Sequence, residues 1–326
     1  MSKFNRRFFR LRTRAPVWAL SIAALVCSAA TAAPRYTSFS VPDGSNTRAV
    51  GINSVGQVVG RYMDPTGVEK AFLLYTDGSI RIFSAPGGVL GTWAQDINDR
   101  GDIVGVYFDA DFAAHGFLLR DGRYSSIDFP GALETRARSI DDLGRITGNY
   151  LACTADVCNA GHPDPLEIGF VLDRTGFHSV FFPGTDSTDV WDEVANVRVG
   201  DWSDLAGNVF GYVEQGGVFT DTNVPGSSVT SIRGINHRGT LVGVFGDEQD
   251  NLHGFARVPR GFIQLDVPGS IGTVANRIND QGTVVGASLD DQGEWHGFIL
   301  SGWEGERCRE GRRVSPRSHP EWRRDH

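Results

Sequence analysis

Short apolar segments alternate with turn-forming residues along almost the whole chain between residues 36 and 300. The segments are rich in Val, Ile and Phe, and Gly, Asn, Asp or Pro separates one from the next. Apolar runs of this length, bounded by residues that favour turns, are typical of β-strands joined by tight connections. The pattern therefore predicts an all-β protein.

One arrangement of these segments returns six times. Each copy approximates T-x-A-x-x-I-N-D-x-G-x-I-V-G-x-Y, a variable loop, H-G-F-L-L, a turn and then F-x-x-I-D-x-P-G. The prolines that close the copies are Pro42, Pro86, Pro130, Pro183, Pro225 and Pro268. Each copy holds four predicted strands, and a repeat of about 40–50 residues is usual for the blade of a β-propeller.

The two ends of the repeat region predict how the ring closes. Phe39 to Pro42 is a fourth strand without its first three, and the sixth copy stops at His296 to Leu300 after its third. The N-terminal strand can complete the last blade, which protects both sheet edges. We therefore predict a six-bladed β-propeller of four-stranded antiparallel blades, closed in this way. The fourth copy is off pattern at Trp202 to Gly207 and leaves little room for a third strand, so a five-bladed ring with a distorted segment is the alternative.

Several residues recur at the same place in each copy and are predicted to serve the blade. The glycines inside the second strand predict a close backbone approach, at Gly60, Gly105, Gly148, Gly243 and Gly286. The Asn or Asp of the first turn is predicted to cap that turn. The histidine of His-Gly-Phe (His115, His253 and His296) is predicted to hydrogen-bond to a turn or a neighbouring strand.

The N-terminus has the form of an export signal. Six basic residues precede a stretch of apolar and small residues, which ends Ala30-Thr31-Ala32-Ala33-Pro34. This predicts a signal peptide over residues 1–32 and a secreted or periplasmic protein with no stable membrane insertion. The Sec route is favoured, and Arg6-Arg7 makes twin-arginine export the alternative.

Cleavage would leave an acidic protein. The remaining chain has 25 Lys and Arg against 39 Asp and Glu, a net charge of −14, so we expect no binding to nucleic acid. Residues 33–300 form the predicted propeller domain, and the polar, Arg-rich residues 301–326 are predicted to be a disordered tail.

Cys153 and Cys158 lie in an insertion between the second and third strands of the third copy. In an oxidising compartment they are predicted to form a disulfide. Free thiols are the alternative, and a metal site would find only His162 nearby.

The repeat resembles the HAF-type extracellular repeat family of bacterial proteins. The resemblance lies in Ile97 to Gly105, His115 to Leu119 and Ile127 to Gly131, returns at Ile278 to Gly286 and His296 to Leu300, and covers about residues 36–300. It implies secretion and a propeller-like fold. It implies no established activity, catalytic residue or cofactor.

No motif for a nucleophile elbow, a zinc-binding helix or a phosphate loop is present in the sequence, so no catalytic residue is assigned. Candidate sites are therefore the residues that differ between copies. The first strand should line the channel, where the ligand-binding candidates are Arg48, Asp96, Arg138, Arg233 and Arg277, accompanied by Trp93, Gln95 and Arg136. Converging arginines could hold an anion or a carboxylate ligand, and salt bridges along the channel wall are the alternative.

No metal site or cofactor is assigned. The loop acids lack the dense spacing of a dedicated calcium loop, which leaves Ca²⁺ as a weak candidate at Asp109, Asp111, Asp247, Asp290 and Asp291. The sequence thus favours an exported, monomeric binding or scaffold module that recognises a protein or glycan through one face of the ring. A hydrolase or lyase with a site in the channel, and a purely structural surface protein, are the alternatives.

Overall fold

The computed structural model describes residues 34–152, 165–185, 187–204 and 206–303, and these residues form 24 β-strands. The strand β1 (Arg35–Phe39) comes first. Blade 1 is formed by β2 (Ser45–Ile52), β3 (Val58–Met63), β4 (Glu69–Leu74) and β5 (Ile80–Phe83). Blade 2 is formed by β6 (Gly91–Ile97), β7 (Ile103–Phe108), β8 (Ala114–Arg120) and β9 (Arg123–Ile127). Blade 3 is formed by β10 (Glu134–Ile140), β11 (Ile146–Ala152), β12 (Leu166–Asp173) and β13 (Gly176–Val180).

The second half of the chain repeats this order. Blade 4 is formed by β14 (Ser187–Val194), β15 (Val197–Ser203), β16 (Val209–Gln215) and β17 (Val218–Asp221). Blade 5 is formed by β18 (Val229–Ile235), β19 (Leu241–Gly246), β20 (Leu252–Val258) and β21 (Gly261–Gln264). Blade 6 is formed by β22 (Gly272–Ile278), β23 (Val284–Leu289) and β24 (Trp295–Ser301), together with β1. The fold is the predicted six-bladed propeller.

The N-terminal strand completes the last blade, as predicted, but it spans Arg35–Phe39 rather than Phe39 to Pro42. β1 pairs antiparallel with β24, from Arg35 opposite Ser301 to Phe39 opposite Gly297. An apolar cluster then joins this blade to blade 1, where Val41 and Val285 pack with Ala49 and Phe72. Corresponding clusters lie between the other neighbouring blades, so the ring closes through packed side chains rather than through one continuous hydrogen-bonded sheet.

The glycine inside the second strand of each blade allows the first and second strands to approach closely. A Cβ placed on Gly105 would lie 2.0 Å from the carbonyl oxygen of Trp93 and 2.7 Å from the ring of Phe117. Because real carbon atoms do not approach backbone oxygens so closely, only glycine fits, as predicted. The buried Phe of the third strand fills the space that the glycine leaves.

The threonine that begins the repeat links each blade to the one before it. The hydroxyl of Thr92 accepts a hydrogen bond of 3.1 Å from the backbone N–H of Ala85, which follows the last strand of blade 1. The same bond occurs at all six junctions, with Thr47, Thr135, Thr188, Thr230 and Thr273 as the other acceptors. The threonine therefore satisfies a backbone donor that the sheets leave unpaired.

The fourth blade is complete, which rules out the five-bladed alternative. Its first turn is a two-residue connection at Ala195 and Asn196, both with positive φ, in place of the Asn-Asp-x-Gly turn. Gly207 closes the next turn, between β15 and β16, and Tyr212 takes the buried place of the third-strand Phe. Gly207 therefore belongs to the second turn of this blade rather than the first, and the third strand has its full length from Val209 to Gln215.

The C-terminal end of the propeller is packed beyond its last strand. The packed region extends past the predicted boundary at residue 300, because Trp303 is 2 % exposed and donates its indole N–H to the carbonyl of Gly282. The predicted signal peptide, both cysteines of the predicted disulfide and the rest of the tail lie outside the described residues. Within the described ranges, no helix is long and apolar enough to cross a membrane.

Candidate functional site

Every blade places a β-bulge at the same point of its first strand. The register shifts between Ala94 and Asp96 in blade 2 and between Ala137 and Ser139 in blade 3, and equivalent shifts occur in the other four blades. A bulge sets two residues of one strand opposite one residue of its partner and re-aims their side chains. The two bulge residues differ from blade to blade, so the centre of the ring is chemically asymmetric.

Arg277 divides the channel into two cavities. Its guanidinium lies 2.9 Å from Asp192 Oδ2 and 3.4 Å from Asp96 Oδ1, and it also donates to the backbone carbonyls of Arg138, Trp191 and Arg233. Burial raises the pKa of Asp96, and the charge of Arg277 offsets part of that shift. Arg277 lines both cavities, so its side chain forms the floor of each.

The larger cavity, of about 290 Å³, opens where the first strands begin, and we call it the arginine cavity. Four arginines besides Arg277 line it: Arg48, Arg61, Arg138 and Arg233. Three tryptophans line it with them: Trp93, Trp191 and Trp295. No Asp or Glu is among the described residues of its wall.

Each of these four arginines packs on an indole ring of a neighbouring blade. Arg61 lies 4.0 Å from the ring centre of Trp93, and Arg48 lies 4.5 Å from that of Trp295. Arg138 and Arg233 both lie against Trp191, at 4.2 and 4.7 Å. A cation–π contact fixes a guanidinium without neutralising its charge and leaves its N–H edge free to donate.

Three of these arginines have no salt bridge to any described carboxylate. Arg138 donates to Asn149 Oδ1 at 3.0 Å, and Arg233 donates to Asn276 Oδ1 at 3.1 Å. Among the four, only Arg61 forms a salt bridge to a described carboxylate, 3.4 Å from Glu69. Burial lowers the pKa of Arg233 to about 10 and that of Arg61 to about 10, so both stay protonated at neutral pH. The cavity wall is therefore positively charged.

A group of carboxylates lies behind this wall, between blades 3 and 5. Asp201 accepts hydrogen bonds from the indole of Trp191 at 2.8 Å and from Ser231 Oγ. Asp189 is its direct partner across the strands, and Asp189 Oδ1 is buried with no hydrogen-bond partner among the described residues. Burial, reinforced by the charge of Asp189, raises the pKa of Asp201 to about 7.

Glu167 belongs to the same group. It accepts a hydrogen bond from Asn149 Nδ2 and lies 3.5 Å from Arg136. Burial, reinforced by the charge of Asp189, raises the pKa of Glu167 to about 7, although Arg138 and Arg136 oppose the shift. At neutral pH the carboxyl groups of Asp201 and Glu167 are therefore partly protonated and only partly balance the nearby arginines.

The structure brings together four of the five binding candidates, since Arg48, Arg138, Arg233 and Arg277 all line the arginine cavity. Asp96 does not, because its ion pair with Arg277 directs it toward the opposite cavity. Trp93 and Gln95 also line the arginine cavity.

Arg136 does not line the cavity, since Glu134 and Glu167 hold it away in salt bridges. Arg61, Trp191 and Trp295 were not predicted. Trp191 lies in blade 4, whose sequence departs from the repeat. Arg61 belongs to a second strand and Trp295 to a third strand, whereas the prediction concerned first strands.

The opposite cavity, of about 110 Å³, is surrounded by the first turns of the blades. The side-chain oxygen of Asn98 accepts from Arg100 and Asp102 N–H, which confirms the predicted capping role. Its amide group also donates to the carbonyl of Asp141 in the next blade, and Asn53, Asn236 and Asn279 make equivalent bonds. These residues are structural links around the ring.

The recurring histidines are likewise structural. His115 contacts Asp109 and Asp128, and His253 contacts Asp247 and Asp266, each through both ring nitrogens. His296 contacts Asp290 and Ser40 Oγ in the same manner, which confirms the predicted bond to a turn. Lys70 takes this place in blade 1, 3.3 Å from Asp64.

No family model matches the chain, and no curated protein matches its sequence. Among solved structures, AofleA from Arthrobotrys oligospora is similar with a TM-score of 0.51 and 14 % identity, over 83 % of this chain and 88 % of that one. A six-bladed β-propeller fungal lectin from Aleuria aurantia has a TM-score of 0.46 and 10 % identity, over 81 % and 96 %. Virginiamycin B lyase from Staphylococcus aureus has a TM-score of 0.45 and 11 % identity, over 82 % of this chain and 100 % of that one. At these identities the likeness shows the fold alone.

Proposed function

We propose that this protein is an exported, HAF-type repeat protein that acts as a binding module in the periplasm or outside the cell. The face that carries the mouth of the arginine cavity is the proposed surface for a protein or glycan partner. The cavity at its centre is the proposed site for a small anionic ligand.

One observation carries the proposal: Arg48, Arg138 and Arg233 are held by indole rings and amide groups rather than by acids. A salt bridge along the channel wall would use their N–H donors and cancel their charge. Arg233 Nε is even buried without a hydrogen-bond partner among the described residues. Buried donors are normally satisfied, so the arrangement favours an anion that accepts from several guanidinium groups at once.

Calorimetric titration tests this proposal, with sulfate, glucuronate and 3-phenylpropionate as probes. We expect at least one of them to bind with one site per chain. Arg138→Gln and Arg233→Gln should each weaken that binding roughly tenfold or more, since one hydrogen bond to a charged group is lost. Arg48→Gln, at a half-buried position, serves as a third variant should either buried change impair folding.

Arg81→Gln is the matched control, because Arg81 is exposed on the outer strand of blade 1. It should leave the affinity unchanged. Absence of binding by every probe, or equal affinities for wild type and all three cavity variants, would contradict the proposed site.

A hydrolase or lyase with a site in the channel is the second candidate. The carboxyl groups of Glu167 and Asp201 favour it, because a pKa of about 7 suits a general acid or base at neutral pH. Turnover of chromogenic glycosides and esters, measured from pH 5 to pH 9, tests it. Activity that is lost in Asp201→Asn and Glu167→Gln would support this candidate, and no turnover by the wild type would dismiss it for those substrates.

A further inference from the structure

The wall of the arginine cavity is not uniform, because blade 6 contributes an apolar section. Val274 and Ala287 face each other across β22 and β23, and both line the cavity. The equivalent pair is Arg48 and Arg61 in blade 1, and Asp189 and Asp201 in blade 4. Leu252, at the start of β20, also lines the cavity and lies next to Gly272 of blade 6. One side of the cavity therefore has an aliphatic section. The rest of the wall carries the arginines and tryptophans, together with Val50, Gln95 and Asn276.

The charged and apolar sections meet at Arg233. Its guanidinium donates to Asn276 Oδ1 at 3.1 Å, and Asn276 belongs to the same strand as Val274. An anionic group bound by Arg233 would therefore bring the atoms attached to it beside blade 6. The other boundary is similar, because Arg48 packs on Trp295 of blade 6.

The wall offers few hydrogen-bond acceptors. Guanidinium groups only donate, and the indole N–H groups of Trp93 and Trp191 are already bonded to Glu69 and Asp201. Asn276 uses its oxygen for Arg233 and its amide N–H for the carbonyl of Ala49. Among the described wall residues, this leaves the amide oxygen of Gln95 as the remaining side-chain acceptor. A hydroxyl-rich neutral sugar donates from each hydroxyl, so many of its groups would be buried here without partners, which is unfavourable.

We propose that the ligand of the arginine cavity is a small organic acid, whose carboxylate is bound by Arg138 and Arg233 and whose apolar body packs on Val274 and Ala287. This inference rests on the proposed function and deepens it. The cavity lies at the small end of ligand pockets, which start near about 300 Å³, so it suits a single small molecule. Burial of the apolar body adds affinity that a purely polar anion cannot gain.

Competition between three probes tests the proposal on the full chain. We expect 3-phenylpropionate to bind at least about tenfold more tightly than glucuronate, which has the carboxylate but a hydroxylated body, and methyl α-L-fucoside not to bind in the cavity. Val274→Thr keeps the side-chain shape and replaces one methyl group by a hydroxyl. It should lower the affinity for 3-phenylpropionate by about four- to tenfold and leave the affinity for sulfate unchanged.

The outcomes separate the two proposals. Ala287→Ser is the second variant for the apolar section and should act in the same direction as Val274→Thr. If glucuronate binds as tightly as 3-phenylpropionate, or if neither variant changes the ratio of their affinities, the organic-acid proposal is wrong while the anion site stands. If Arg138→Gln and Arg233→Gln change the affinity for none of the probes, the organic-acid proposal and the anion site are both wrong.

Discussion

Phe112 combines two features that are unfavourable for a folded protein. It is 75 % exposed, and its φ of 65° lies in the left-handed region that side chains disfavour. It occupies the turn between β7 and β8, at a place where blades 1, 4 and 6 have Gly67, Gly207 and Gly293. Phe112 therefore adopts a backbone conformation that is unfavourable for any residue with a side chain.

Replacing Phe112 by Gly should stabilise the protein. The change removes a left-handed side chain, which costs about 1–2 kcal/mol, so we expect the free energy of unfolding in urea to rise by about 1 kcal/mol. Phe112→Ala is the control, since it removes the ring and keeps the strained backbone, and it should change stability by less than about 0.5 kcal/mol. Equal stabilities for the two variants would show that the positive φ does not destabilise the wild-type protein.

His253 gives stability a defined dependence on pH. Partial burial opposes its charged form, but hydrogen bonds and charges from Asp266 and Asp247 outweigh this effect and raise its pKa. A raised pKa means that the folded state holds the proton more tightly, so the contribution is complete below the unfolded pKa of about 6.5 and is lost as pH rises through the folded value.

The comparison of wild type with His253→Gln tests this sign. Urea unfolding at two pH values gives the difference in free energy of unfolding between wild type and variant. The variant should be less stable than wild type at pH 5.5, and this difference should be smaller at pH 8.5. A loss that is independent of pH, or that grows with pH, would contradict the assignment of the raised pKa to His253.

Among the elements, the junction between blades depends on one threonine. Thr92 is fully buried, and its hydroxyl satisfies the N–H of Ala85. Thr92→Val keeps the shape and removes the acceptor, which leaves that N–H unpaired and should lower the free energy of unfolding by about 1–3 kcal/mol. Thr76→Val, at an exposed position, is the matched control and should change little. Equal effects in the two variants would show that the junction bond contributes nothing.

Repetition made the elements predictable from the sequence. The period fixed the number of blades, and the unpaired strand at Phe39 indicated the closure. Blade 4 was misjudged because a two-residue turn at Ala195 and Asn196 replaces the repeated turn, and positive φ at Ala is not visible in composition. The threonine bonds were also missed, since their partners lie in the preceding blade and depend on how blades stack.

For the molecule as a whole, the asymmetric centre was predicted better than its details. First-strand arginines could be named because the first strand of a blade lines the channel. The indole contacts could not be predicted, since each joins residues of different blades, as Arg138 and Trp191 do. The separation of the channel by Arg277 also depends on geometry, because Asp96 and Asp192 come from blades 2 and 4.

The carboxyl groups behind the wall connect ligand binding to pH. An anion beside Arg138 and Arg233 adds negative charge near Asp201 and Glu167, and should raise their pKa values above about 7. Binding is then accompanied by proton uptake, so the affinity for sulfate should fall as pH rises from 6 to 8. Calorimetry in two buffers of different ionisation enthalpy measures this uptake directly. An affinity that is constant over this range would contradict the coupling.

The most direct test of the binding site is a crystal of the full chain soaked with 3-(4-bromophenyl)propionate, whose bromine can be located by anomalous scattering. We expect one ligand in the arginine cavity, with its carboxylate within hydrogen-bond distance of Arg138 and Arg233 and its bromine on the side of Val274 and Ala287. A ligand bound elsewhere on the ring, or an empty cavity at saturating concentration, would contradict it.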